Sequence, residues 1–299
     1  MRINTNVSSL TAQESAVNTN KSITNSLEKL SSGLRINKAA DDASGLAIAD
    51  KLRTQVTSIN QGVSNGNSAI ALLQIADKSM AEQSTILDTI KAKLIQANTD
   101  TTSSAGRTAI AKDVNKLLDQ LNNIAKQTNY NGTALLQAET KSSSTGTAAS
   151  SGLTFQVGES TADLIKTKTI QANVTGLSLS SLKSNVSAGA KYTNVNGTVT
   201  GTAFTKVMAS AGQKAIDDAI TKLNGYRGDI GSTQNQVESA VRNLATQATN
   251  IKNAESVIRD VDYAQESANY NKLNIIAQAG SYAISQANST QQNVLRLLQ

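Results

Sequence analysis

Arg259, Asp260 and Asp262 stand almost side by side, and Arg35, Asn37, Asp41 and Asp42 form a second polar group far upstream. Neighbouring carboxylates can hold a hard divalent cation or share general acid and base roles. For the first group, the adjacent guanidinium and the absence of any histidine favour an ion-pair network over a metal. In the second, Asp41 or Asp42 is suited to cap the helix that follows. Asp217-Asp218 reads as the opening of another helix, where paired negative charges favour the dipole. The chain also has no cysteine, so it lacks the side chains used most for proton transfer near neutral pH, soft-metal ligation and thiol chemistry. The expectation is a protein that is not an enzyme, with no metal and no cofactor.

The elements that position these residues look mechanical. The 299 residues contain no Cys, His, Trp or Pro, and only 6 Tyr and 2 Phe, a composition poorly suited to a large globular core. No charge falls between Ile3 and Gln13, or between Leu273 and Leu295. In the latter stretch Leu273, Ile276, Gly280, Ala283 and Ala287, followed by Val294 and Leu298, recur at helical spacing and form one face. Opposite them stand Asn, Gln, Ser and Thr, which can be covered without the cost of burying a charge. With small residues at the seam and no charge pairs, both ends are expected to be disordered alone and to fold against each other or against further copies.

Net charge is +6, but 28 basic residues are interspersed with 22 acidic ones and no basic run marks a nucleic-acid surface. The longest aliphatic run, Ala69 to Leu73, is far too short for a bilayer span, so no membrane insertion is expected. The N-terminal stretch lacks the apolar core of a secretory signal peptide, so exit from the cell is expected by another route.

Apolar stripes recur on both sides of a contrasting middle. Ile23, Leu27, Leu30 and Leu34 make the first. The second, Ile48, Leu52, Val56, Ile59 and Val63, continues through Ile70, Leu73, Ala76, Met80, Leu87, Ile90 and Leu94. It predicts one helix over residues 43–98, about 80 Å long, with a bend at Asn65-Gly66 as the lesser alternative. Residues 99–106 read as the turn of a helical hairpin leading to Ile110, Val114, Leu117, Leu121 and Ile124. The last stripe, Ile230, Gln234, Val237, Val241, Leu244, Ala248 and Ile251, has a polar seam position at Gln234. Between Glu139 and Gly212 the helical period is lost. Leu153, Phe155 and Val157 alternate, 158–163 supply turn residues, and 164–170 are rich in β-branched residues, predicting a β-hairpin. Residues 178–210, with Asn196-Gly197 between Val195 and Val199, fit either a second short hairpin or mobile surface. The fold class is therefore mainly α, a long helical bundle of paired N- and C-terminal segments with a small β-hairpin region.

The run Leu27-Glu-Lys-Leu-Ser-Ser-Gly-Leu-Arg-Ile-Asn37, followed by Ala39-Ala-Asp-Asp-Ala-Ser-Gly-Leu-Ala-Ile-Ala49, closely resembles bacterial flagellin. The resemblance continues in Ser64-Asn-Gly-Asn-Ser-Ala-Ile70, Gln127-Thr-Asn-Tyr-Asn-Gly132, Phe155-Gln-Val-Gly158, Ala254-Glu-Ser-Val-Ile-Arg-Asp-Val-Asp-Tyr263 and the segments between Gln278 and Leu295. It implies an inner terminal coiled-coil domain (1–54 and 253–299), a helical rod with a β-hairpin (55–177 and 211–252) and a short variable surface segment (178–210). The implied role is a subunit that polymerises with copies of itself into the extracellular filament used for swimming, exported by the flagellar type III apparatus. Export chaperone, cap and hook-associated proteins are the implied partners. A hook–filament junction protein and a secreted adhesin are the rivals, and the shortness of the central segment argues against the adhesin.

On this reading the assembly interface comprises Ile23, Leu27, Leu30, Leu34, Arg35, Asn37, Asp41, Asp42, Leu273, Ile276, Gly280, Ala283, Ala287, Val294 and Leu298, with Arg35 and the carboxylates touching neighbouring subunits. Ser and Thr of the middle segment are candidate acceptors of O-linked sugars, as in some flagellins. Flagellins well detected by the vertebrate innate receptor carry an Arg-hydrophobic-Arg-Glu-Leu pattern. Thr89, Ile90, Lys91, Ala92 and Lys93 stand in its place, and lysine does not reproduce arginine's planar fork. Weak receptor contact is expected.

Overall fold

A computed structural model describes residues 6–137, 152–191, 193–195, 198–200 and 203–297. The elements are α1 (Val7–Ser32), α2 (Ala43–Ala97), α3 (Ser104–Gln127), β1 (Asn129–Tyr130), β2 (Thr133–Ala134), β3 (Thr154–Gln156), β4 (Leu164–Lys166), α4 (Ser180–Ala190), β5 (Thr193–Val195), β6 (Thr198–Thr200), α5 (Lys206–Arg259) and α6 (Tyr263–Leu297). The strands form antiparallel pairs, β1 with β2, β3 with β4 and β5 with β6. Two compact units arise. The first holds Met1–Thr57 and Thr246–Gln299, the second Ser58–Ala245.

The second unit contains the main apolar core. Leu73, Met80, Leu87, Ile90 and Leu94 of α2 are fully buried with Val114, Leu118 and Leu121 of α3 and Ile216 and Leu223 of α5. Each such side chain contributes roughly 1.5–3 kcal/mol of burial. The heptad slot between Met80 and Leu87 is filled by Gln83, also fully buried. Its amide Nε2 donates to the Leu121 carbonyl at 3.1 Å and to the Ala172 carbonyl at 2.9 Å, joining three chain segments in one network. Turn chemistry sets the α2–α3 connection. The Ser103 hydroxyl caps α3 by accepting from Gly106 N at 3.1 Å, and Arg107 donates to the Ala97 and Thr99 carbonyls, occupying acceptors left open at the end of α2.

The 55-residue α2 runs unbroken through Asn65-Gly66, so no bend forms there. Its glycines serve close approach instead. A Cβ on Gly62 would overlap the Val157 carbonyl oxygen, and one on Gly66 would overlap the Val241 side chain. The hairpin β3–β4 is seated directly on α2, where the Asn65 amide donates to the Gln156 carbonyl at 3.1 Å. Its inward residues Val157 and Ile165 form a smaller core with Ala69 and Val237.

Several expectations are corrected. Helix α5 begins at Lys206, so Asp217 and Asp218 lie well inside it and open nothing. The initial turns of α5 form because Ala209 and Gly212 pack against core residues; Gly212 admits Leu182 and Leu94 where a Cβ would collide. Asp217 pairs with Lys91 at 2.6 Å. Residues 178–210 hold the helix α4, whose Leu182 and Val186 are buried in the main core, besides the short pair β5–β6; Asn196 and Gly197 lie outside the described residues. In α3 the buried face is Ile110, Ala111, Val114, Leu118, Leu121 and Ala125, with Leu117 and Ile124 only partly covered. In α5 the buried polar position is Thr233 rather than Gln234, which donates to Glu238 in its own helix at 2.9 Å.

Candidate assembly interface

Helices α1 and α6 of the first unit run antiparallel. Near one end the Asn6 amide donates to the Ala287 carbonyl at 3.2 Å; near the other, the Ser26 hydroxyl donates to the Glu266 carboxylate. Asn6 also caps α1, accepting from Ser9 N at 3.1 Å. The α1 side of the seam is Ala12, Ala16, Thr19, Ile23, Ser26 and Leu30, half-buried except for the buried Ser26. On α6 the half-buried positions include Leu273, Ala277, Gly280, Ile284 and Ala287. Both stripes are shifted from the expected faces. Leu27, Ile276 and Ala283 turn outward, Leu27 at 51% and Ile276 at 42% exposure. Apolar residues stand on either side of each step, and the position of the partner helix selects between them. The Val294 side chain, and Leu298, lie outside the described residues.

The linkers joining α1 to α2 and α5 to α6 form a clasp. Gly33 ends α1 with φ of 73°, in the left-handed region. Leu34 bridges Asp260 in antiparallel fashion: Arg35 N donates to the Arg259 carbonyl at 2.7 Å and Val261 N to the Gly33 carbonyl at 3.0 Å. The Arg35 guanidinium donates through Nη2 to the carbonyls of Ile258 at 2.6 Å and Val257 at 3.3 Å. It therefore satisfies acceptors at the C-terminal end of α5, where a cation also favours the dipole. The next residue, Ile36, is buried, with its side chain close against Gly45.

Two carboxylates shape the linker before α2. Asp42 caps α2 by accepting from Gly45 N at 2.9 Å. Asp41 closes the turn, accepting from Lys38 N at 2.9 Å and Asn37 N at 3.1 Å. Those backbone hydrogen bonds, the one from Lys38 first, hold the Asp41 carboxyl below its ordinary range. Glu28 accepts from the Asn37 amide at 3.1 Å and the Lys38 ammonium at 2.5 Å, and the latter bond raises the Lys38 pKa. On the other linker, Asp262 caps α6, accepting from Ala264 N and Gln265 N, and Asp260 accepts from the Ser256 hydroxyl at 2.6 Å. Of the ion-pair network expected there, Arg259 pairs with Asp50 at 3.9 Å, and the same Asp50 oxygen pairs with Arg53 at 2.9 Å.

Three-dimensional packing also defines the stretch from Thr89 to Lys93. Ile90 is fully buried, Lys91 pairs with Asp217 and Lys93 with Asp113 at 3.0 Å, while Thr89 and Ala92 are exposed.

Residues 3–141 match the bacterial flagellin N-terminal helical region and residues 213–298 the bacterial flagellin C-terminal helical region. The chain belongs to the bacterial flagellin family. It is 33% identical over 303 residues to the flagellin of Bacillus subtilis strain 168, with each chain covered in full. The same identity and coverage relate it to the flagellar filament 33 kDa core protein of Treponema phagedenis. The crystal structure of Bacillus cereus flagellin superposes with a TM-score of 0.44 at 25% identity, covering 64% of this chain and 94% of that one. Flagellin is a structural protein family, and this chain is a structural subunit of the bacterial flagellar filament. The clasp is the feature that sequence reading missed. Its signal was the pairing of Gly33-Leu34-Arg35 with the segment after Ile258, which no local period reveals.

Proposed function

We propose that this subunit polymerises through its first unit, with α1 and α6 completing their burial against further copies. One observation carries this reading. Among the described residues of that unit, the buried apolar side chains are Ile36, Ala49 and Ala248, whereas Val7, Leu10, Val17, Ile275 and Tyr282 are exposed, from 49% for Val17 to 73% for Tyr282. Helices packed so thinly gain little from their own seam, since burial scales with the apolar area removed from water. The outward Leu27, Ile276 and Ala283 then face neighbouring subunits, and Arg35, Asn37, Asp41 and Asp42 hold the linkers in the conformation those neighbours meet. The inner terminal domain is assigned to 1–54 and 253–299, and the rod to 55–177 and 211–252. Export by the flagellar type III apparatus, with chaperone, cap and hook-associated proteins as partners, belongs to the same reading and is supported by membership of the family. The role is mechanical, with no residue assigned to transform a substrate.

Seeded polymerisation followed by electron microscopy, beside a variant lacking residues 273–299, tests this. Long tubes from the full chain alone are expected. Tubes from both would overturn the terminal helices as the assembly device, and stubs from the full chain despite competent seeds would point to a junction protein. Contact with the vertebrate innate receptor through Thr89–Lys93 is weak on this reading, because Ile90 is withdrawn and both lysines are paired. A reporter-cell response equal to that of a strongly detected flagellin refutes it.

A further inference from the structure

Asparagine precedes glycine at Asn65-Gly66, Asn131-Gly132, Asn196-Gly197 and Asn224-Gly225. Such a pair can react with itself, because a glycine places no side chain in the way of its own amide nitrogen. The fold distinguishes these pairs. Asn65 and Asn224 sit within α2 and α5, where the backbone ladder fixes the following amide nitrogen on its helical acceptor. The Asn65 side chain is further held by its donation to the Gln156 carbonyl and by acceptance from Gln61 at 3.0 Å. Asn196-Gly197 lies outside the described residues. Asn131-Gly132 alone among the described pairs forms a turn. It joins β1 to β2 with φ of 49° and 81°, next to the facing pair Tyr130 and Thr133, and both its residues are exposed.

We propose that Asn131 is a site of spontaneous covalent modification. The Gly132 amide nitrogen, losing its proton to solvent base, attacks Asn131 Cγ. A C–N bond forms there, the Cγ–Nδ2 bond breaks, and ammonia leaves with a proton, giving a five-membered imide. Water then opens either imide carbonyl, yielding aspartate or isoaspartate, so the sum is amide plus water to carboxylate plus ammonium, with no oxidant or reductant. Aspartate is tolerated in the left-handed conformation that Asn131 holds. Isoaspartate inserts a methylene into the main chain of a two-residue turn, and hairpin register depends on turn length. The register pairing Asn129 with Ala134 is then lost, directly ahead of the buried Leu135 and Leu136. The site acts as a chemical clock that adds a negative charge and loosens this hairpin with age.

The test incubates the folded full-length chain at mildly alkaline pH in water enriched in oxygen-18, then follows tryptic peptides 54–78, 127–141 and 223–227 by mass spectrometry with fragmentation to place the label. Label and isoaspartate are expected at Asn131 at a rate at least about tenfold above that at Asn65 or Asn224, equivalent to ~1.4 kcal/mol of helix opening. In denaturant the rates are expected to converge. Equal rates in the folded protein, faster labelling of either helical asparagine, or a difference that persists in denaturant would each overturn the proposal.

Discussion

Replacing Arg35 by alanine removes the side chain that ties the α1–α2 linker to the end of α5 while leaving the backbone bridge between the linkers in place. The loss comprises the bonds at 2.6 and 3.3 Å to the Ile258 and Val257 carbonyls and a cation at the end of α5. A hydrogen bond to a charged group is worth about 1.5–3 kcal/mol, but this guanidinium is exposed, which reduces it to roughly 1 kcal/mol. The helix-end charge adds ~0.3–1 kcal/mol, for a total of about 1–2 kcal/mol. If the clasp orders as subunits join the polymer, that energy enters the assembly equilibrium and raises the critical concentration about 5- to 30-fold. Sedimentation of polymer over a range of subunit concentrations, with wild-type seeds, measures this directly. Circular dichroism melting of the second unit is expected to be unchanged, because Val257 and Ile258 belong to the first. An Arg35→Ala protein with the wild-type critical concentration would refute the reasoning, as would an equal loss of stability in the second unit.

Gly62→Ala drives a methyl group into the Val157 carbonyl. It is expected to destabilise the second unit by about 1–3 kcal/mol, seen as a lower denaturant midpoint; an unchanged midpoint would show that the hairpin is not seated there. Gly228→Ala meets open space inside α5 and is expected to stabilise by ~0.5–1 kcal/mol, a gain that the same titration reads. Because the Asp41 carboxyl is held below its ordinary range, its contribution is present above the unfolded-state pKa and is lost as pH falls through the lower, folded value. Lys38 has the opposite sense: with its pKa raised, its contribution is complete below the unfolded value and is lost as pH rises through the folded one. Asp41→Asn is therefore expected to flatten the acid limb of the first unit's stability, and an acid limb identical to wild type would exclude this turn as its source.

The sequence alone determined the extent of α2, the α2–α3 hairpin, the β3–β4 pair and the uncharged ends, because hydrophobic period, turn residues and charge are properties of short windows. The family was legible for the same reason, in runs such as 27–37 and 39–49. Phase was not. At Leu27 against Ser26, Ile276 against Ala277 and Ala283 against Ile284, neighbouring residues each satisfy a helical stripe, and the direction of the partner helix decides which turns inward. Asn65-Gly66 reads locally as a possible bend, yet tertiary packing uses Gly62 and Gly66 to bring the hairpin and Val241 against α2. The start of α5 and the existence of α4 depended on burial against Leu94 and α3, which overrode the Ser- and Gly-rich local composition. Arg35 shows the limit most clearly: its acceptors lie more than two hundred residues away, and only the folded chain brings a guanidinium to the open carbonyls at the end of α5.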